Sequence, residues 1–144
     1  MNQIIQRITS VFFYTSPLKT AFPFGYYLLY KFSFLKILFF LTFPVAILEK
    51  SLPFGGLLFF FIIFAGVVRN PKVPYFIRYN ACQSLLLDIA LIILTYLLRI
   101  FPLIEFGSII FISTLSIFIF SAYQCLNGVE PEIPLISKSA RMQI

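Results

Sequence analysis

The sequence predicts an all-α, polytopic membrane protein with four transmembrane helices and a short amino-terminal interfacial helix. Sixty per cent of the 144 residues are hydrophobic, only 11% are charged, and the mean hydropathy is +0.98. Soluble domains carry about 25% charged residues, so this composition is typical of a chain that lies in lipid. Four apolar stretches account for most of the length, which leaves a single membrane domain over residues 1–144 and no room for a separate catalytic domain.

The four spans are placed by the number of apolar residues needed to cross the bilayer. About 20 residues cross roughly 30 Å of hydrocarbon. We predict spans at residues 32–48, 53–68, 81–98 and 106–126. Pro44 should kink the first span, and Gly55 and Gly56 should let another helix approach the second. The first two spans are short, which favours local thinning of the bilayer.

The segments at the two ends differ from the spans. Residues 1–31 are predicted to be an amino-terminal interfacial segment, because apolar residues recur there at helical spacing opposite polar ones. These apolar residues are Ile4, Ile8, Val11 and Phe12. Residues 127–144, "NGVEPEIPLISKSARMQI", contain Pro131 and Pro134, so we expect an extended tail until about Ser137.

The distribution of basic residues predicts that both termini lie on the side of synthesis. Loops that stay on that side carry an excess of Lys and Arg, and an even number of spans demands the same placement. We assign eight basic residues to that side and two to the other. The eight are Arg7, Lys19, Lys31, Arg69, Lys72, Arg78, Lys138 and Arg141, and the two are Lys50 and Arg99.

The residue inventory argues against an enzyme. The sequence has no histidine, which excludes an imidazole base and a histidine-ligated metal or haem. Its two cysteines, Cys82 and Cys125, have no metal or redox spacing and are more typical of small buried side chains in a reducing compartment. No glycine-rich phosphate loop or nucleophile motif occurs. We therefore predict no enzymatic activity, no cofactor, no metal and no nucleic-acid partner.

One carboxylate lies in the third predicted span, "FIRYNACQSLLLDIALIIL". It belongs to a polar stripe that covers an arc of about 60° on a helix. The stripe comprises Ser84, Asp88, Thr95 and Arg99. An ionised Asp88 at this depth costs about 2.5 to 3.5 kcal/mol on insertion, so it should be paired, hydrated or protonated. We expect Lys36 as its partner, with Arg78 as second choice. The stripe then either clamps helices together or lines an aqueous path.

Two blocks of the sequence resemble a known family. The block "RNPKVPYFIRYNACQSLLLDIALIIL" and the ending "CLNGVEPEIPLISKSARMQI" are similar to the Tic-twenty family, a small four-span subunit of the protein translocon at the chloroplast inner envelope membrane. The resemblance rests on Arg78, Tyr79 and Asn80, on Gln83, on the Leu-Leu-Asp run that ends at Asp88, and on the Glu-Ile-Pro-Leu-Ile-Ser tail. The amino-terminal sequence lacks the features of a transit peptide, which favours a plastid-encoded or cyanobacterial-type member.

The resemblance implies a subunit that contributes to the path of precursor proteins, in the plastid inner envelope with both termini in the stroma, or in a cyanobacterial plasma membrane. Its partners would be other translocon subunits, precursors in transit and membrane lipids. Arg69, Lys72 and Arg78 form a candidate partner face. Two alternatives stay open: an assembly scaffold without a conduction path, and a small proton-coupled transporter.

Overall fold

The computed structural model describes residues 2–100, 105–134 and 136–144. The regular structure in these ranges is entirely helical, which confirms the all-α prediction. Short 3₁₀ (Ser33–Lys36) and π (Phe64–Val68) segments adjoin the α-helices. The α-helices are α1 (Gln3–Lys31), α2 (Ile37–Ser51), α3 (Gly56–Ile63), α4 (Tyr75–Ile100), α5 (Glu105–Leu126) and α6 (Ile136–Gln143).

Helix α1 is much longer than the short helix predicted for the amino-terminal segment. The side chain of Asn2 caps it by accepting a hydrogen bond from the Ile4 amide at 3.0 Å, and the helix continues through Pro17 and Pro23 for 29 residues, about 43 Å. Its middle third is buried against α4 and α5, with Leu18 fully covered. Packing along this face stabilises the helix past both prolines, which local pattern alone did not indicate.

Helices α1 and α5 run antiparallel in contact along most of their length. Near one end Arg7 Nη1 donates to the Leu126 carbonyl at 3.3 Å, and towards the other end Gly25 lies against the ring of Phe111. Lys31 therefore lies about 36 Å along α1 from Arg7. Arg7 and Lys31, which were predicted to share one membrane side, thus lie near opposite ends of a helix that extends along the bundle. Their placement relative to a membrane stays a prediction.

The first two predicted spans form a sharply bent pair. The segment Ser33–Ser51 meets Gly56–Val68 at 101°. Pro44 lies within α2. The break falls instead at residues 52–55, where Phe54 and Gly55 adopt positive φ angles of 63° and 56°. That backbone conformation cannot continue a right-handed helix, which explains the bend.

Two helices in the described ranges are long and apolar enough to cross a membrane. They are α4 and the part of α5 from Phe106 to Leu126, which contain the predicted spans 81–98 and 106–126. The bent α2–α3 pair would be a third if it counts as one span, so the four predicted spans are not confirmed. The predicted boundary between the spans 32–48 and 53–68 lies close to the observed break at residues 52–55. Neither predicted span is a helix long enough to cross a membrane by itself.

The carboxy-terminal tail is extended only in part. Residues 129–133 have no regular structure, Pro134 lies in a turn, Leu135 lies outside the described residues, and α6 follows. Helix α6 packs on α4 and buries Ser137 and Ala140. The start of α6 at Ile136 agrees with the expectation of an extended segment until about Ser137, and only a description of residues 127–144 as extended throughout would be wrong. The amphipathic residues of α6 find a packing surface on α4.

Candidate functional site

Asp88 is the centre of a polar cluster between α1 and α4. Its side chain is buried, with 8% exposure. Ser16 Oγ donates to Asp88 Oδ2 at 2.6 Å, and Thr20 Oγ1 donates to Oδ1 at 2.8 Å. Ser16 and Thr20 lie one turn apart on α1, so both hydroxyls face the same point on α4. Hydrogen bonds to an ionised carboxylate are stronger than those between neutral groups.

Neither cation expected beside Asp88 is there. Lys36 is exposed in the 3₁₀ segment, and Arg78 Nε donates to the Val68 carbonyl at 2.9 Å. Among the residues that the structure describes, no Lys or Arg forms an ion pair with Asp88. The predicted Lys36 pair was wrong because α1, placed outside the bundle by the sequence analysis, occupies the position beside Asp88.

An ion pair lies next to this cluster. Lys19, between Ser16 and Thr20 in the chain, donates to Glu49 Oε2 near the end of α2. The side chains are 27% and 15% exposed, so the pair is largely withdrawn from solvent. It ties α2 to α1 just before the break in the α2–α3 pair.

A recess of about 220 Å³ connects these groups to the outside of the bundle. Its polar lining comes from α1, α2 and α4, and its apolar lining includes the start of α3. The lining residues are Ser16, Thr20, Glu49, Gly56, Phe59, Phe60, Leu85, Asp88 and Ile92. The recess therefore lies beside the break at residues 52–55. Non-helical backbone at membrane depth persists only where it is buried in protein or lines a water-filled cavity.

The predicted stripe on α4 does not act as one unit. Ser84 is buried and donates to the Ala81 carbonyl at 2.8 Å, while Thr95 is half-buried and donates to the Leu91 carbonyl at 2.8 Å. Arg99 is exposed and lies 5.7 Å from the ring centroid of Tyr96. Of the stripe, Asp88 alone appears in the lining of the recess. Ser84 and Thr95 satisfy their hydroxyl groups within α4, and Arg99 lies at the exposed end of the helix.

Sequence reasoning missed the partners of Asp88. Ser16, Lys19 and Thr20 were overlooked because residues 1–31 were assigned to the interface. Glu49 was overlooked because it lies just beyond the predicted span 32–48. The signal was present in "TSPLKT", residues 15–20, where polar side chains recur at a spacing of four. That spacing puts Ser16 and Thr20 on one face of a helix.

A second buried polar network fastens the tail to the bundle. Gln83 Nε2 donates to Tyr14 Oη at 2.8 Å and to the Pro131 carbonyl at 3.1 Å. Ser137 Oγ donates to Gln83 Oε1 at 2.5 Å. Tyr14 Oη donates to Asn80 Oδ1 at 2.8 Å. We call these five residues the tail staple. It joins α1, α4 and the tail through groups that are all buried.

The two cysteines lie near this network as buried, free thiols. Cys125 Sγ is 3.4 Å from Asn80 Oδ1, and Cys82 packs in the apolar cluster of α4. Their burial agrees with the interpretation as small core side chains.

The candidate partner face is divided by the structure. Arg69 and Lys72 are exposed, and Arg69 Nη2 donates to Gln143 Oε1 at 3.3 Å. Arg78 is half-buried and caps a carbonyl at the end of the π segment. Arg69 and Lys72 are thus placed to meet a partner, and a role for this face stays a prediction.

Comparison with known proteins identifies the family. A family model described as "Chloroplast import apparatus Tic20-like" matches residues 3–140. A protein of Synechocystis named "Tic20 family protein" is 32% identical over 149 residues, covering 96% of this chain and 92% of the relative. "Protein TIC 20-v, chloroplastic" of Arabidopsis thaliana is 32% identical over 147 residues, covering 96% and 70%. "Tic20 family protein Ycf60" of Gracilaria tenuistipitata is 31% identical over 157 residues, covering 98% and 76%. The chain belongs to the Tic20, or Tic-twenty, family.

Proposed function

We propose that this protein is a membrane subunit of a protein-import translocon and that the Asp88 recess forms part of the path of precursor proteins. The family description and the chloroplast relatives support the role in import. We place it in the plastid inner envelope, with other translocon subunits, precursors and lipids as partners. The cyanobacterial relative supports the plasma membrane as the alternative location.

The observation that carries the proposal is a buried carboxylate beside a break in a membrane helix. A path for polypeptide must offer hydrogen-bonding groups at a depth where lipid offers none. The recess is lined by Asp88, by the hydroxyls around it and by Glu49, which accepts from Lys19. Broken helices are also where membrane transporters place their substrate sites, since unwound backbone exposes polar groups there.

The path should run beside the bundle rather than through it. Tyr14, Leu18 and Phe111 are at most 1% exposed and fill the space between α1, α4 and α5. Helical bundles of this size pack solid. The recess opens sideways between α1, α3 and α4, so we expect a partner subunit or a second copy to complete the wall.

We further propose that α1 crosses the membrane, so that α1, the bent α2–α3 pair, α4 and α5 cross four times in all. Its antiparallel contact with α5 supports this, because α5 is long and apolar enough to cross. Both termini then lie at the end that holds Arg69 and Lys72, which the positive-inside rule places in the stroma. Membrane-impermeant labelling of a cysteine at Lys138 from the stromal side, but not from the opposite side, is the expected result.

Photo-crosslinking tests the path. Ile92 lines the recess and is 48% exposed, whereas the adjacent Ile93 does not line it and is 54% exposed. A photo-reactive residue is placed at Ile92 or at Ile93, and membranes are irradiated while a tagged precursor is arrested in transit. We expect crosslinks to the precursor from Ile92 only. Equal yields at the two positions, or none at Ile92, would overturn the proposal.

The tail staple favours a second function, that of an assembly scaffold. A tail held rigidly by Gln83 and Ser137 presents a fixed surface to other subunits. In the same experiment, crosslinks from Ile92 to other subunits without any to the precursor would support the scaffold.

A further inference from the structure

The Asp88 recess has the chemistry of a cation site. Each oxygen of Asp88 accepts one hydrogen bond from a hydroxyl of α1. An ionised carboxylate offers about four acceptor positions, so about two remain for another donor. Hydroxyl groups orient towards the charge but do not neutralise it. The carboxylate therefore keeps acceptor capacity and charge on the side that lines the recess.

In the part of the chain that the structure describes, no neighbouring cation forms an ion pair with Asp88, although Lys19 is close enough to interact with it electrostatically. Lys19 donates to Glu49, and Lys50 is exposed beyond the recess lining. Breaking the Lys19–Glu49 pair to serve Asp88 would leave Glu49 as an uncompensated, largely buried charge, which is unfavourable. A cation from outside would bring its own charge and leave that pair intact.

The size and shape of the recess fit an alkyl cation rather than a bare metal ion. Its volume of about 220 Å³ is several times the roughly 30 Å³ that one water occupies. Phe59, Phe60 and Ile92 form an apolar and largely aromatic wall of the same recess that Asp88 lines. Such a wall suits the methylene groups of a chain that ends in an ammonium or guanidinium group.

We infer that the recess binds an ammonium or guanidinium group carried on an alkyl chain, with Asp88 as its counter-ion. Two sources share this chemistry: a small free amine and a Lys or Arg side chain of a polypeptide. The assignment to a passing polypeptide rests on the proposed function, whereas the cation chemistry rests on the geometry alone.

Thiol accessibility in the purified full-length protein, in detergent, measures this chemistry without any precursor. A Cβ added at Gly56 would make only ordinary contacts with Glu49, at 3.8 and 4.0 Å, so Gly56→Cys fits at the edge of the recess. Leu57→Cys is the matched control, because Leu57 is 62% exposed and does not line the recess. The native cysteines are buried, so unmodified protein gives the background.

Rates are compared for a cationic and a neutral methanethiosulfonate reagent of similar size. We expect the ratio of the cationic rate to the neutral rate to be roughly fivefold higher at Gly56→Cys than at Leu57→Cys. One nearby charge has an effect of about this size at a partly exposed site. Asp88→Asn should abolish this preference, and Asp88→Glu should keep most of it. A preference unchanged by Asp88→Asn, or absent with Asp88 in place, would overturn the inference.

Protection of the cysteine by added cations identifies the source of the bound group, a small amine or a polypeptide side chain. This measurement does not depend on how well Asp88→Asn folds. Butylammonium should slow modification of Gly56→Cys by the neutral reagent while leaving Leu57→Cys unaffected, and no protection by any cation would overturn the inference. Greater protection by a short extended peptide with one Lys than by its Gln counterpart indicates a polypeptide side chain; protection by butylammonium alone indicates a small amine. If the cationic reagent is preferred but Ile92 gives no crosslink to the precursor, the cation site is supported and the proposed path is refuted.

Discussion

The contact between α1 and α5 at Gly25 makes a sharp prediction about packing. A Cβ built at Gly25 would lie 2.3, 2.5 and 2.6 Å from three ring atoms of Phe111. Favourable carbon contacts lie at about 3.5 to 4.0 Å, so Gly25→Ala must displace the ring or separate the helices by about 1 Å. Phe111 is fully buried, which leaves the ring no open direction. Overpacking of this kind costs about 1 to 3 kcal/mol.

Gly66→Ala is the matched control. Gly66 lies in the π segment, and a Cβ there would meet no heavy atom within 4 Å. Replacing Gly by Ala inside a helix stabilises by about 0.5 to 1 kcal/mol, and both variants share this term. The free energies of unfolding of the two variants should therefore differ by about 1 to 3 kcal/mol, with Gly25→Ala the less stable.

Reversible unfolding of the purified protein in mixed micelles, with SDS as the denaturant and circular dichroism as the readout, measures this difference. Phe111→Leu in the Gly25→Ala background should recover part of the loss, giving a favourable coupling between the two positions. If Gly25→Ala stabilises the protein as much as Gly66→Ala does, the close approach of α1 and α5 is refuted.

Three further perturbations test the two polar networks. Gln83→Leu should destabilise the protein by about 1 to 3 kcal/mol and speed proteolysis of the tail, because it leaves buried partners without hydrogen bonds. Glu49→Gln should lower stability by about 1 to 3 kcal/mol by removing the counter-charge of Lys19. The double variant Lys19→Glu with Glu49→Lys should restore most of the lost stability. Thr20→Val should cost about 1 to 3 kcal/mol because it removes one of the two hydroxyl hydrogen bonds that the buried Asp88 carboxyl accepts.

One exposed position with a small hydroxyl side chain serves as the control for these variants. Ser116 is exposed and donates to the Ile112 carbonyl within its own helix. Ser116→Ala should change the free energy of unfolding by less than about 0.5 kcal/mol. Loss of stability at Ser116 as large as at Gln83 or Thr20 would show that the assay reports general helix disruption, and would remove the support for both networks.

The composition and the two cleanest apolar runs predicted the membrane class and helices α4 and α5. These features depend on local hydropathy, which tertiary packing does not change. The length of α1 could not be read in the same way, because Pro17, Pro23 and the polar "TSPLKT" stretch reduce its hydropathy. Its helical structure is stabilised by contacts with α4 and α5, which are distant in sequence: Tyr14 and Ser16 of α1 bond to residues of α4 that are 66 and 72 positions away.

Asp88 was identified from sequence, but its partners were not. A carboxylate in an apolar run can be recognised from the local sequence, because its neighbours are apolar. Which side chains satisfy it depends on which helix packs beside α4, and that is a long-range property. The expected partner Lys36 followed from assuming that residues 32–48 pack next to α4 at the depth of Asp88. Helix α1 packs there instead, and supplies Ser16 and Thr20.

Most of the residues that carry the family resemblance have a different role in the fold from the recess. Tyr79, Asn80 and Gln83, together with the Glu-Ile-Pro-Leu-Ile-Ser tail, build or border the tail staple, whose polar groups are buried and satisfied. A network in which each group has a partner fixes one arrangement of helices and leaves little for a ligand to bind. Asp88 differs, because its charge faces a recess and its donors are neutral. Apart from Asp88 itself, the residues on which the family resemblance rests thus mainly specify the fold, and the proposed interaction with a passing chain should be sought at Asp88.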